Sequence, residues 1–390
     1  MVARQYYSAE AETEDSTTGS YVTSLTHTFT PDANRDYICF ASSMMRRSTT
    51  SYGNRPSAFT DSSPRDADAG AYLSSEYFHT ANRVNQSGFY IHEEGASPSS
   101  YTQANYFARY GSTGTCYIDQ QSLVALRLEA NDEFVTTISE TSTTSSSYST
   151  AQTLTFTPPS EGEYLILAQW NARGANTECK VVVDGVTKMT AFIGPYDFDR
   201  TSFLFSSKVN LTASSKTITI QLRRPSGSST VYCSLPKIVA LRLDDFPTGA
   251  EVAHDDSTSS TTATSSTWVD SDTSVTFTPT AGDHLIIGTC IYGHNTNAGG
   301  GGVRLEEDGS GAFKYSNAKH PGASNWRRSH GVVRVQTLAA TSYERTFQVN
   351  RTVGSGTTTI DEKSITVLQL EEVASGLSVP IAHHHRQRNN

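Results

Sequence analysis

The sequence has little charge, no long apolar run and no regular helical pattern. Only 18% of its 390 residues are charged, below the quarter that is usual in globular proteins. No apolar run approaches the roughly 20 residues of a membrane-spanning helix, and the N-terminus lacks the apolar core of a secretion signal. We therefore expect no membrane partner and no classical export. The net charge of −9 also argues against nucleic acid, which is bound through basic surfaces.

Familiar catalytic and ligand-binding motifs are missing as well. The histidines form no HExxH pattern, no Gly-x-Ser-x-Gly elbow is present, and the glycine run 299–302 lacks the Lys-Ser/Thr of a phosphate-binding loop. The three histidines 383–385 are interpreted as part of a polar tail. We predict no catalytic residues, no cofactor-binding residues, no metal-binding residues and no enzymatic activity.

What the sequence does contain is one pattern that occurs three times. Phe-Thr-Pro stands at 29–31, 156–158 and 277–279, each time before a polar turn and an apolar segment. Each copy closes with an alternating apolar segment, at 123–129, 238–244 and 365–371. A spacing of roughly 120 residues is too long for a solenoid repeat and fits a whole domain. The chain is therefore predicted to hold three related domains.

The local patterns within each copy are those of short strands. The closing segments alternate with a period of two, as in a strand with one buried face. Continuous apolar runs such as 164–168 suit strands buried in a sandwich core. We predict an all-β fold of three tandem β-sandwiches, with a jelly roll as the first topology and an immunoglobulin-like sandwich as the second.

Composition and the repeat together set the predicted boundaries. They are an N-terminal arm (1–19), a first copy (20–132), a second copy (133–247), a third copy (248–374) and a C-terminal tail (375–390). Two hydroxyl-rich runs, 141–150 and 257–267, are either linkers or the first strands of the following copies. Tandem sandwiches in this order are expected to form a long rod.

The five cysteines leave two alternatives open. Cys39 and Cys116 fall in the first copy, Cys179 and Cys233 in the second, and Cys290 in the third. Either the first two copies hold one disulfide each, or the thiols are free and buried as small apolar groups.

Repeated arginines and exposed aromatics are the candidate interface residues. An arginine ends the penultimate strand of every copy, where it serves either a structural contact or a contact between subunits. The first copy adds two arginines in its long insertion, and the predicted arm adds two tyrosines. The set is Arg46, Arg47, Tyr6, Tyr7, Arg109, Arg224 and Arg351. We expect the arm or the first copy to anchor the chain, so that deleting residues 1–19 weakens assembly without unfolding the domains.

The repeated short strands and the closing strand in mid-sheet resemble jelly-roll modules of the TNF/C1q-like kind. Over most of residues 20–374 the pattern is also similar to the repeated β-sandwich proteins that decorate tailed bacteriophage particles. This resemblance implies a non-enzymatic structural virion protein, a capsid decoration (cement) or head-fibre protein. It implies other virion proteins as partners, a homotrimer as the oligomer, and a place on the virion, assembled in the host cytoplasm and exposed after lysis.

Two other functions remain open. A glycan-binding receptor-recognition fibre, a tail or collar component or an adhesin would use exposed tyrosine and tryptophan rings on sugars. A polysaccharide depolymerase would need two carboxylates brought together by the fold.

Overall fold

A computed structural model describes residues 4–18, 22–47, 54–59, 84–109, 115–193, 201–246, 252–296, 300–308, 312–319 and 326–370. Within these residues the chain forms 26 strands and one short 3₁₀-helix. The strands make six antiparallel sheets, two in each copy. The all-β sandwich fold predicted from the sequence is confirmed. The predicted C-terminal tail, 375–390, lies outside the described residues.

The first copy combines a five-stranded and a three-stranded sheet. Its strands are β1 (Tyr6–Ala11), β2 (Asp15–Thr17), β3 (Val22–Phe29), β4 (Tyr37–Arg47), β5 (Asn54–Phe59), β6 (Val84–His92), β7 (Tyr101–Arg109) and β8 (Cys116–Arg127). The larger sheet has the order β1-β8-β4-β6, with β2 also paired to β8. The smaller sheet has the order β3-β7-β5.

The second copy has the same plan with a four-stranded second sheet. Its elements are β9 (Glu133–Thr136), β10 (Glu140–Thr143), β11 (Ser149–Phe156), β12 (Gly162–Arg173), β13 (Thr177–Val183), β14 (Val186–Ile193), β15 (Thr201–Leu211), β16 (Lys216–Arg223), β17 (Val231–Arg242) and the 3₁₀-helix η1 (Leu243–Asp245). The sheet orders are β10-β17-β12-β15, with β9 also on β17, and β11-β16-β13-β14.

The third copy repeats this arrangement. Its strands are β18 (Val252–Ser257), β19 (Thr261–Ala263), β20 (Val269–Phe277), β21 (Gly282–His294), β22 (Gly300–Glu307), β23 (Ala312–Lys319), β24 (Trp326–Leu338), β25 (Tyr343–Val353) and β26 (Thr358–Gln369). The sheet orders are β18-β26-β21-β24, with β19 also on β26, and β20-β25-β22-β23.

The segment predicted as an N-terminal arm belongs to the first sandwich. Its residues form β1 and β2, and Tyr6 stands opposite Leu126 on the closing strand β8. The equivalent strands β9 and β18 pair with the closing strands β17 and β26. Both hydroxyl-rich runs also contribute strands, because β10 and β19 pair with the same closing strands. The composition of this polar segment predicts an arm, but backbone pairing holds the segment in the first sheet.

The three copies pack around a common axis and not in a row. Matching positions on β4, β12 and β21 and on the closing strands β8, β17 and β26 pair Ile38 with Leu126, Leu165 with Leu241, and Leu285 with Leu368. All six side chains are fully buried in one apolar cluster that all three copies share. Because apolar burial is the main favourable term in folding, this cluster closes the chain into a ring. The expectation of a long rod is wrong.

Polar contacts between the copies follow the same cyclic order. Three hydrogen bonds have matching positions: Ser42 Oγ donates to Val333 O (3.1 Å), Phe89 N donates to Gln169 Oε1, and Ser206 Oγ lies 3.0 Å from Thr289 Oγ1. Each copy thus places the same face against the edge strand of the next, β24, β6 or β15. A head-to-tail contact that closes after three units has threefold pseudosymmetry.

The edge strands approach most closely at Gly331. It occupies the position that Ser87 and Leu204 hold in the other copies. A side chain at Gly331 would collide with Ser87, and Asn85 Oδ1 accepts a hydrogen bond from Gly331 N at 2.9 Å. The three sandwiches are therefore in close contact along the pseudo-threefold axis.

Candidate functional site

Every closing strand carries a β-bulge at the same place. At each bulge, one residue of the neighbouring strand (β4, β12 or β21) faces two residues of the closing strand. The first bulge residue has a positive φ in all three copies: 48° at Gln120, 52° at Leu235 and 45° at Glu362. Because this positive φ recurs in all three copies, the bulge conformation belongs to the common fold. A bulge changes the direction in which its side chains point. Only the third copy places an ionisable side chain there.

The first and second copies fill the space beside the bulge with a large side-chain cluster. In the first copy the Arg46 guanidinium lies 4.0 Å from the Tyr117 ring centroid and forms an ion pair of 2.6 Å with Glu14. In the second copy Arg173 lies 3.9 Å from the ring centroid of Tyr232 and pairs with Glu140 at 2.7 Å. The two clusters occupy matching positions, because Arg46 stands opposite Tyr117 and Arg173 opposite Tyr232.

The third copy has small residues at the same positions. Gly293 stands opposite Thr359, where the other copies have arginine and tyrosine. Ser260, just before β19, takes the place of the glutamate. The loss of these three large side chains leaves a cleft of about 530 Å³ between the second and third copies. We call it the interdomain cleft. Its lining comprises Thr190, Phe192, Thr258, Ser260, Gly293, His294, Asn295, Arg327, Thr359, Asp361 and Glu362.

Two carboxyl groups and one guanidinium group dominate the electrostatics of the cleft. Asp361 is buried, and it accepts hydrogen bonds from Arg327 Nη1 and Ser260 Oγ. Glu362 Oε1 accepts a hydrogen bond from Thr190 N at 3.3 Å, while its buried Oε2 has no partner among the described residues. Burial raises the pKa of Glu362 to about 7, against the lowering effects of the Thr190 amide, Arg327 and Lys363. Glu362 therefore titrates near neutral pH.

A smaller cavity continues along the same boundary. Its volume is about 170 Å³, and it shares Thr258 and Glu362 with the interdomain cleft. Ser207 Oγ donates to Asp256 Oδ2 at 2.7 Å in its wall. This smaller cavity is therefore bordered by polar side chains of both copies.

The predicted tyrosines lie in contacts within the chain. Tyr6 O–H donates to Asp283 of the third copy, and its ring packs on the central cluster. Tyr7 stacks on Phe29, with ring centroids 4.5 Å apart. Tyr6 therefore joins two copies, and Tyr7 stabilises the first.

The predicted arginines are spread over the three copies and do not converge on one site. Arg46 pairs with Glu14 as described, and the carboxylate raises the pKa of its guanidinium. Arg224 Nη1 donates to Ser229 O at 3.0 Å. Arg351 is partly buried, and its backbone N–H donates to Ser265 O at 2.8 Å. Arg47 ends β4 and Arg109 ends β7, but their side chains lie outside the described part of the structure.

Sequence reasoning missed a buried ion pair at the junction of the first and second copies. Arg4 and Asp132 pair at 2.6 Å, and both side chains are almost completely buried. Asp132 also accepts the backbone N–H groups of Glu129 and Arg242, each at 2.8 Å. The Arg4 guanidinium lies 4.0 Å from the ring centroid of Phe246. Polar residues near a terminus and in a linker gave no signal of this contact.

The five cysteines are free and buried, which is one of the two alternatives. A hydrogen bond with the Cys179 thiol, together with burial, raises the pKa of Cys233 well above its usual value. Among the described residues no three His, Cys, Asp or Glu side chains group as metal ligands. No helix in that part of the chain is long and apolar enough to cross a membrane.

Comparison with solved structures finds β-rich proteins at low similarity. A chain of the Sulfolobus Turreted Icosahedral Virus is 12% identical, covering 86% of this chain and 81% of its own, with a TM-score of 0.21. A chain from a structure of the triple jelly roll fold and turret assembly in an archaeal virus is 10% identical, with coverages of 94% and 92% and a TM-score of 0.22. The CBM22-1-CBM22-2 tandem domain of Paenibacillus barcinonensis Xyn10C is 8% identical, with coverages of 63% and 92% and a TM-score of 0.20. Such scores carry no argument about function. No protein-family model matches the chain, and no curated protein matches it.

Proposed function

We propose that this chain is a non-enzymatic structural virion protein that binds the particle surface through its ring of three sandwiches. The observation that carries the proposal is the threefold pseudosymmetry built by a single chain. Matching contacts join the first copy to the third, the second to the first and the third to the second. The ring therefore presents three related surfaces about one axis.

Such a ring suits an assembly that itself offers three related sites. Each copy engages one site, and the second and third contacts become intramolecular once the first has formed. Linked contacts of this kind raise avidity by about 10²–10⁴ without any stronger individual contact. The shared apolar cluster fixes the spacing of the three surfaces, so little order has to be gained on binding.

Within this class we propose a capsid decoration (cement) or head-fibre protein of a tailed phage, with other virion proteins as partners. The non-enzymatic assignment rests on the sequence, which lacks a recognisable catalytic motif. Tail and collar components share the same composition and are the alternatives within the class.

Co-sedimentation with candidate particles, followed by imaging of the bound density, tests the proposal. We expect one chain per threefold or quasi-threefold position, with its pseudosymmetry axis on the particle axis. The chain sedimented alone is the control. Binding at positions without threefold symmetry, or no binding to any candidate particle, contradicts the proposal.

A further inference from the structure

We propose that the interdomain cleft between the second and third copies is a binding site for an uncharged carbohydrate. This inference does not depend on the particle-binding role, because that role uses features repeated in all three copies and the cleft is specific to one boundary. Residues of both copies line the cleft. They include Thr190 and Phe192 on β14 and Asp361 and Glu362 on β26.

Comparison of the three copies shows that the cleft results from coordinated replacements. The arginine–tyrosine–glutamate cluster of the other copies is reduced to Gly293, Thr359 and Ser260, all of which line the cleft. The bulge position beside it changes from Gln120 and Leu235 to Glu362. A gap left by imperfect packing would not combine three reductions in size with a new carboxyl group. The replacements therefore describe a site specific to the third copy.

The polar groups of the cleft match those of a sugar. Glu362 lines the cleft, and one oxygen of its carboxyl group, Oε2, has no hydrogen-bond partner among the described residues. We assign this unused acceptor to a ligand hydroxyl. Thr190, Thr258 and Thr359 add hydroxyl groups to the lining, and each can donate and accept. Since every sugar hydroxyl also donates and accepts, a polyhydroxyl ligand can satisfy this set.

Charge and shape narrow the ligand class further. The Arg327 guanidinium is already paired with Asp361, and Glu362 adds a second carboxyl group, so the cleft has no excess positive charge. Anionic sugars and phosphates are therefore disfavoured. The ring of Phe192 supplies one apolar surface for the C–H face of a pyranose. A volume of about 530 Å³ lies within the range of small-molecule sites.

The substitution Thr359→Tyr tests the site by restoring the side chain that the first and second copies have. The probes are an array of neutral and acidic oligosaccharides and then titration calorimetry with the neutral glycan that gives the highest array signal. We expect the full chain to bind neutral glycans and the variant to bind them at least about tenfold more weakly. The matched control is Thr155→Tyr on an exposed position of β11, which should bind like the unchanged protein.

A second variant separates recognition from loss of space. Glu362→Gln keeps the Oε1 acceptor for Thr190 N but removes the carboxyl group, and we expect weaker glycan binding without a fall in the melting temperature, because the penalty for burying a carboxylate is removed as well. Three results would overturn the proposal: no neutral glycan bound by the unchanged protein, undiminished binding by Thr359→Tyr, or binding of acidic glycans alone. Particle co-sedimentation of Thr359→Tyr should remain normal, so the two proposals fail independently.

Discussion

Arg4 and Asp132 form an almost completely buried ion pair where the first copy meets the second, and its contribution to stability depends on both partners being present. Removing one partner of a buried pair leaves the other charge uncompensated in a medium of low dielectric constant. Asp132 also accepts two backbone amides, so it cannot move to solvent without breaking them.

Arg4→Met should therefore lower the free energy of unfolding by about 3–5 kcal/mol. Urea denaturation followed by circular dichroism measures this change. The control is Arg46→Met, which breaks the half-exposed pair with Glu14 and should cost about 1 kcal/mol or less. Equal losses in both variants would show that the Arg4 pair is not the special contact described above.

Lys237 is a buried cation in the closing strand of the second copy. It is 4% exposed, and its Nζ has no hydrogen-bond partner among the described residues. The first and third copies place Ser122 and Ser364 at the matching positions. Burial lowers the pKa of Lys237 to about 8 from 10.5. The folded state thus disfavours the charged form.

The contribution of Lys237 to stability should become less unfavourable as the pH increases from about 8 towards 10.5. In that interval the unfolded chain binds a proton at Lys237 that the folded chain does not, and the slope of this contribution with pH is then positive. The difference between the protein and Lys237→Met isolates this contribution from the buried cysteines, whose raised pKa values act in the opposite direction. Below pH 8 the full penalty is present, so Lys237→Met should stabilise the protein at pH 7 by about 3 kcal/mol. Urea midpoints at pH 7 and above pH 9 measure the effect.

The partly exposed Lys208, paired with Glu163, provides the control for this prediction. Lys208→Met should shift the urea midpoint little at either pH. A stabilisation by Lys237→Met that does not diminish at high pH would mean that better packing, and not removal of a buried charge, is responsible.

At the scale of strands, the closing segments were the best predicted elements. Their alternation identifies one buried face, and Leu126, Leu241 and Leu368 all lie in the central cluster. Strand β1 was missed because its pairing partner is more than 100 residues away in the sequence. Its sequence begins with two adjacent tyrosines and shows no clear alternation of apolar and polar residues. Deletion of residues 1–19 should therefore destabilise the first copy, contrary to the expectation from the sequence, because these residues include β1, β2 and Arg4.

The interdomain cleft could not be predicted because it depends on register. Glutamine, leucine and glutamate at the three bulges share no chemical property, and none is a residue type that usually marks a positive φ. Only after the bulge is included do Gly293 and Thr359 align with the arginines and tyrosines of the other copies. The adjacent Asp361 and Glu362 belong to a closing strand whose sequence pattern indicated only packing.

At the scale of the molecule, one chain supplies all three units of the ring. The apolar faces of all three copies are already buried against one another in the central cluster. The edge strands β6, β15 and β24 are covered by neighbouring copies of the same chain. No equivalent apolar face remains among the described residues to drive further trimerisation.

The purified protein should therefore be a monomer of 42.3 kDa in solution. Size-exclusion chromatography with light scattering measures the mass directly. Chemical unfolding should also be a single cooperative transition, because separate domains would each expose part of the shared cluster. A stable trimer, or three separate unfolding steps, would contradict this interpretation of the ring.

The fusion of three copies into one chain removes the equivalence that identical subunits would impose. A substitution in a homotrimer is present three times, whereas Glu362 is present once. A ring of this kind can bind a threefold site in three orientations that differ by rotation about the axis. These orientations would be equivalent for three identical subunits, but they differ for three non-identical copies. The interdomain cleft marks one direction around the axis of the ring. In the particle role proposed above, each bound ring would display one such cleft, and the direction of the cleft would report how the ring was placed.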